Sequence, residues 1–329
     1  MLHCHLPASL LLVSSKNEKT KPRKKDTTCS VCLQKRRGEE RRAEGEDDGR
    51  KEKKIKIFKF LCHPQRLVPM RQLLLHLLAS AAVLLLPVAA DLPPSNKLVF
   101  ILAGQSNMAG RGGVLGNHWD GIVPPDCAPN PSILRLSPQL RWELAHEPLH
   151  DGIDSNRTCG VGPGMAFANA VLRSGRAAPV VGLVPCAVGG TRMAQWVKGS
   201  ELYADLVRRA RVAVETGGRI GAVLWYQGES DTVRWADATE YGRRMVMLVR
   251  DLRSDLAMPH LLLLQVGLAS GLGQYTEIVR EAQEGVKLRN VRFVDAKGLP
   301  LQDGHLHLST QAQVQLGHML AQAYLNYEI

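Results

Sequence analysis

Leu98-Val-Phe-Ile-Leu102 runs without a break into Ala103-Gly104-Gln105-Ser106-Asn107-Met108-Ala109-Gly110. Five consecutive apolar residues predict a strand buried on both faces, the condition of a parallel sheet covered by helices. The glycine that follows ends the strand in a tight turn. A serine just past that turn stands with its hydroxyl exposed and helix amides nearby. Four more apolar runs repeat the strand pattern, at 180–184, 220–225, 261–266 and 291–294. Helical patterns separate or follow them, at about 164–172, 202–215, 236–256, 275–286 and 310–325. Alternation of this kind predicts one α/β domain over 91–329, a five-stranded parallel sheet with helices on both faces. No internal repeat is visible. The segment 110–164, rich in Gly, Pro and Asn, reads as a long surface loop. In such sheets ligands bind at the carboxyl ends of the strands, where the strand order reverses.

The chain has 329 residues and a net charge of +11. Residues 1–69 hold 18 Lys/Arg against 9 Asp/Glu, so +9 of that charge belongs to them. The remainder is nearly neutral, which excludes a broad basic face and nucleic acid as a partner. Residues 1–69 read as a solvated basic tail or as an artefact of the predicted gene. Lys21-Pro22-Arg23-Lys24-Lys25 is of nuclear-signal type, and Cys29-x-x-Cys32 lacks a second ligand pair for zinc. Met70-Arg71 then opens an apolar stretch that ends in Pro87 and the small residues Val88-Ala89-Ala90. A positive start, an apolar middle and a small-residue exit are the parts of a secretory signal peptide at 70–90. Translation would then begin at Met70, with secretion of the mature chain and no stable membrane partner. In a longer product the same run would be a membrane anchor.

Seven cysteines include three beyond residue 90: Cys127, Cys159 and Cys186. A disulfide would pair Cys127 with Cys159, both in loop-like sequence, leaving Cys186 a buried thiol; three free thiols is the alternative. Asn156-Arg157-Thr158 is an N-glycosylation sequon, usable in a secreted chain.

Ser106 alone reads as a helix cap before it reads as a nucleophile, because serine needs a base. It does not fit the G-x-S-x-G elbow, since Met108 replaces the second glycine. The other strand ends add the missing parts. The second closes with Cys186-Ala-Val-Gly189-Gly190-Thr191 and the third with Trp225-Tyr226-Gln227-Gly228-Glu229-Ser230-Asp231. Asp303-Gly304-His305-Leu306-His307 follows the fifth. A hydroxyl, backbone amides, a side-chain amide and an imidazole with a carboxylate make up the apparatus of acyl transfer.

These blocks, together with His307-Leu308-Ser309-Thr310, resemble the SGNH hydrolase superfamily. Within it they are similar to the sialate O-acetylesterase-like (SASA) domain of plant carbohydrate esterases, over residues 96–326. The resemblance implies a three-layer, flavodoxin-like fold, no cofactor and no metal. It implies Ser106 as nucleophile and His307 as general base. The Ser106 amide, an amide of Gly189-Gly190 and the Gln227 side chain would bind the oxyanion, with Gln105, Asn107 and Glu229 contacting substrate. The family carries Asp-x-x-His; here Gly304 holds that place and Asp303 stands four residues before His307. Asp303 as orienter therefore depends on the loop absorbing one residue; a carbonyl or water is the alternative, and His305 is a less suitable base.

Two other strings carry less. His146-Glu147-Pro148-Leu149-His150 matches H-E-x-x-H, but Pro148 opposes the helix a zinc site needs. Gly110-Arg-Gly112-Gly113-Val-Leu-Gly116 lacks the Lys-Ser/Thr of a phosphate loop. The expectation is a serine esterase acting on acetylated carbohydrate. A carbohydrate-binding protein with a degenerate triad is the alternative.

Overall fold

The structure is a computed structural model and describes residues 97–176 and 178–327. The tail at 1–69 and the signal or anchor at 70–90 lie outside the described residues. Among those described, no helix is long and apolar enough to cross a membrane.

Strand β1 (Lys97–Gly104) is buried along its whole length, as an uninterrupted apolar run requires when both faces are covered. It lies at the centre of a seven-stranded sheet. In chain order the elements are β1, α1 (Ser106–Ala109), β2 (Val114–Leu115), β3 (His118–Trp119), β4 (Ile133–Leu136) and β5 (Trp142–Leu144). There follow α2 (Gly164–Arg173), β6 (Val180–Pro185), α3 (Glu201–Glu215), β7 (Gly218–Tyr226) and α4 (Trp235–Asp255). The chain closes with β8 (Leu262–Gly267), α5 (Thr276–Glu284), β9 (Val291–Asp295) and α6 (Thr310–Tyr327). The sheet order is β5-β4-β6-β1-β7-β8-β9. All neighbours pair parallel except β5, which runs antiparallel to β4 at one edge.

The five apolar runs are β1, β6, β7, β8 and β9, and their order is that of flavodoxin-like sheets, reversing at β1 and β7. The expected count of five needs correcting to seven. β4 and β5 come from the segment read as a surface loop. β4 was hidden by its length and by Arg135, a charge inside a strand. That guanidinium is satisfied by Glu143 of β5 at 2.6 Å and by the Leu149 carbonyl at 3.0 Å.

Strand periodicity shows that both faces are covered. Phe100 of β1 meets Phe167 of α2 and Tyr324 of α6 edge-on, at 4.7 and 4.9 Å. Trp225 of β7 is in register with Ala103, an odd number of residues beyond Phe100, so it points to the opposite face. There it meets Trp196 edge-on at 5.2 Å. The parallel strands carry their carboxyl ends to one edge of this core, and the loops that follow β1, β6, β7 and β9 build the site there.

Candidate active site

β1 ends at Gly104 with φ of 130°, a conformation that side chains resist. A Cβ there would lie 2.0 Å from the Tyr226 carbonyl oxygen, so glycine is what lets β1 and β7 approach at their ends. The chain then starts the single turn of α1, whose first residue is Ser106. His307 comes from the other end of the sequence. Its Nε2 stands 3.0 Å from Ser106 Oγ. The loop that delivers it is a closed hairpin: Gln302 N donates to the His307 carbonyl at 2.8 Å and Ser309 N to the Pro300 carbonyl at 3.0 Å.

Burial pushes the His307 imidazole down to about 4, and the Arg111 guanidinium lowers it further in the same direction. A base must be neutral, so a depressed value extends the active form to lower pH. We expect kcat/KM for p-nitrophenyl acetate to hold well below pH 6.5 and to fall with an apparent pKa of about 4. A measured acid limb at the ordinary histidine value would show that the imidazole is not shielded in this way.

Asp303 does not orient His307 in this structure. Its side chain is exposed, and among the described residues no carboxylate hydrogen-bonds the imidazole. The extra residue is taken up at His305, which turns back with φ of 51° and carries Asp303 into solvent. His305 is itself exposed, which leaves His307 as the imidazole on Ser106. Asp303→Asn is therefore expected to change kcat less than about tenfold, against the roughly 10⁴ lost when an orienting carboxylate is amidated. A Cβ on Gly304 would meet nothing within 4 Å, and its φ lies outside the left-handed region. Gly304→Asp should therefore fold normally, restore the usual spacing and raise kcat. Steady-state kinetics on both variants checks this; a severe loss in Asp303→Asn would reinstate the triad.

The expected oxyanion donors separate. Gly189 lies against Ser106, since a Cβ on it would be 3.6 Å from Ser106 Cβ. Its amide, however, donates to Asp154 Oδ2 at 3.1 Å. Gln227 is fully buried, and its Nε2 donates to Asp231 Oδ2 at 2.6 Å and to the Thr191 carbonyl at 2.9 Å. It braces the loop after β7 against the loop after β6 and is not offered to a ligand. The Ser106 and Gly190 amides have no acceptor among the described residues and line the cleft. They are the donors left for a developing oxyanion.

Asn107 and Glu229 are withdrawn from the cleft, each 0% exposed, whereas Gln105 borders it while being 1% exposed. Asn107 Nδ2 donates to Glu229 Oε1 at 2.7 Å and to the Leu306 carbonyl at 3.3 Å, while its Oδ1 accepts from Leu308 N at 3.0 Å. Those two backbone groups flank His307. Asn107 thus clamps the loop that carries His307. Gln105, with its NH₂ turned to the nearest acceptors, donates to the Thr191 carbonyl at 3.0 Å and Glu229 Oε2 at 3.2 Å. Burial pushes the Glu229 carboxyl up to about 7, and the Asn107 bond opposes that shift.

Ser106 and His307 open onto a cleft of about 420 Å³, bordered by the β2–β3 hairpin, Arg111, Arg157 and Leu272. Arg111 and Asp154 were not foreseen. They form a buried ion pair, of which Arg111 lines the cleft, and Asp154 accepts from the Gly189 amide. Arg111, directly after the serine turn, was the available signal; Asp154 lay in the segment taken for loop.

The Cys127–Cys159 disulfide is not formed, and all three described thiols are free and buried. Cys159 Sγ lies 3.6 Å from Arg111 Nη1, whereas Cys127 sits beside Ala166 of α2. Burial pushes Cys127 up to about 12 and Cys159 to about 11, so neither supplies thiolate at neutral pH. Asn156 is exposed. His146 to His150 lie in irregular chain after β5, with Glu147 bonded to Leu149 N at 3.0 Å.

Residues 96–326 match the family described as carbohydrate esterase, sialic acid-specific acetylesterase (SASA). A probable carbohydrate esterase of Arabidopsis thaliana is 57% identical over 246 residues, 73% of this chain and 94% of that protein. An X-ray structure of an Arabidopsis thaliana protein is similar with a TM-score of 0.68 and 58% identity, covering 70% of this chain and 98% of that one. The crystal structure of NanS, 20% identical with a TM-score of 0.55, covers 72% and 99% and shares the fold.

Proposed function

The chain belongs to the SASA family of carbohydrate esterases, and on that footing we propose that it removes acetyl groups from carbohydrate esters through an acyl-enzyme on Ser106. Membership makes it a carboxylic ester hydrolase; the covalent step and the acetylated substrate are the proposal. One observation carries it. His307 Nε2 and Ser106 Oγ stand 3.0 Å apart beside two unclaimed amides, in an open cleft.

In the proposed reaction, Ser106 Oγ attacks the ester carbonyl carbon while His307 Nε2 takes its proton. The negative charge on the former carbonyl oxygen is met by the Ser106 and Gly190 N–H groups. The tetrahedral intermediate collapses by breaking the bond to the sugar oxygen, which receives the proton from His307. Water, deprotonated by the same imidazole, then releases acetate from Ser106. Among the described residues no carboxylate steadies the imidazolium, so desolvation sets its basicity and the clamp on its loop sets its position.

Turnover of p-nitrophenyl acetate and of an acetylated sugar, with an acetyl adduct on Ser106 seen by mass spectrometry after acid quench, tests the reading. Absence of turnover on both esters, with retained sugar binding, would favour the binding-protein alternative that an imidazole without a carboxylate partner suggests. We also propose secretion from Met70, cleavage near Ala90–Asp91 and a glycan on Asn156. N-terminal sequencing of the plant-expressed product is expected to begin close to Asp91. A product retaining residues 1–69 would overturn this.

A further inference from the structure

Trp235 opens α4 and is 58% exposed, although tryptophan is the costliest side chain to leave in water. The other four tryptophans are buried or half-buried. Exposed apolar side chains grouped together mark binding surfaces more often than singly scattered ones do. Trp235 is grouped. Tyr275 meets the indole edge-on at 5.5 Å and pins it without covering it. Val233, two residues before it, and Leu272, three residues before Tyr275, are each 51% exposed.

The group is continuous with the catalytic cleft. Leu272 is itself part of the cleft wall. Its segment is stitched to the turn before α4 by three bonds. Leu272 N donates to the Glu229 carbonyl at 3.2 Å, Gly273 N to Thr232 Oγ1 at 2.8 Å, and Tyr275 N to the Thr232 carbonyl at 3.0 Å. A Cβ on Gly273 would fall 2.7 Å from Val233 Cα, so the two strips of backbone touch. Leu272 and Tyr275, three residues apart, are within about 11 Å of each other. Arg234, next to Trp235 in the chain, is exposed and makes no ion pair or side-chain hydrogen bond among the described residues.

The geometry points to an accessory sugar-binding subsite on Trp235 and Tyr275, reached along Leu272, so that the substrate is an acetylated oligo- or polysaccharide and not a single sugar. This deepens the esterase reading and rests on it. A pyranose ring has one face of C–H groups and a rim of hydroxyls. An exposed indole whose chain neighbour is an exposed arginine offers the complementary pair of surfaces. A second protein copy is a poorer occupant. Three half-exposed side chains present far less than the roughly 800 Å² per partner of a stable interface.

Two measurements test this. The first compares kcat/KM for acetylated xylotetraose with that for acetylated methyl xyloside, in the unaltered enzyme and in Trp235→Ala. The ratio of the two is expected to fall about tenfold in the variant, through KM, and to recover in Trp235→Phe. An unchanged ratio would overturn the subsite. The second is calorimetric binding of unesterified xylotetraose to Ser106→Ala, with and without Trp235→Ala. Binding weakened about tenfold by the second substitution supports the subsite, and absence of binding to Ser106→Ala overturns it. If no ester is turned over by the unaltered enzyme, the esterase reading fails while the calorimetry still decides the sugar site. A dimer in sedimentation that Trp235→Ala dissolves would assign the patch to self-association and overturn the proposal.

Discussion

Ser106→Ala is expected to lower kcat on p-nitrophenyl acetate by about 10⁶, the size of loss seen when a serine hydrolase is deprived of its nucleophile. The prediction is sharp because the hydroxyl has one partner. Ser106 Oγ bonds His307 Nε2, and no side chain caps the N-terminus of α1. Removing it leaves the backbone of the turn, the Ser106 amide and the Asn107 clamp in place. The stability cost should therefore stay near 1 kcal/mol, that of one hydrogen bond. Thermal unfolding and kcat measured on the same preparation separate the two effects. A variant that keeps kcat within about a hundredfold would exclude Ser106 as the nucleophile.

That expectation was available from the sequence because the strand and its turn are local features. Leu98 to Leu102 could hardly be anything but a buried strand, and a serine just beyond it can only stand at the sheet edge. The same locality made β6, β7, β8 and β9 and all five long helices legible to within about two residues at each end. β4 and β5 were not legible, since four and three residues give too little periodicity. Arg135 also masks the pattern until its partners Glu143 and Leu149 are known.

The site divides along the same line. Residue types and strand-end positions brought Ser106, His307 and the Gly189-Gly190 pair to one place. Orientation was not written there. Gln227 stands at the expected strand end, yet Asp231, four residues on, turns its amide inward. Asp303 is close in sequence to His307, and one left-handed residue, His305, removes it. Whether a polar side chain faces substrate or core depends on which buried acceptor claims it first, and those acceptors come from distant loops. An unpaired buried carboxylate or amide costs about 1–3 kcal/mol, enough to outbid any local preference.

Asn107→Ala carries this reasoning to its largest consequence after the nucleophile itself. The amide is fully buried and makes three bonds, to Glu229 Oε1, the Leu306 carbonyl and Leu308 N. Glu229 decides which way the amide faces when ionised, because a carboxylate can only accept. With Nδ2 held there, Oδ1 must turn to Leu308 N, and the loop carrying His307 is gripped on both sides of the base. Ser270 Oγ adds a second hold, donating to the Leu306 carbonyl at 2.6 Å, so the loop should stay folded in the variant but lose its fine placement. A displacement of about 1 Å between nucleophile and base costs on the order of a hundredfold. Asn107→Ala is therefore expected to lower kcat by about 10²–10³, leave KM within about threefold and cost about 2–3 kcal/mol in stability. Glu229→Gln is the discriminating partner. Its amide carbonyl can still accept from Asn107 Nδ2, so the clamp survives and kcat should fall less than about tenfold. If Asn107→Ala keeps kcat within tenfold while still losing stability, Asn107 only packs the core. His307 would then owe its position to the hairpin of residues 301–308 and the Ser270 bond to it.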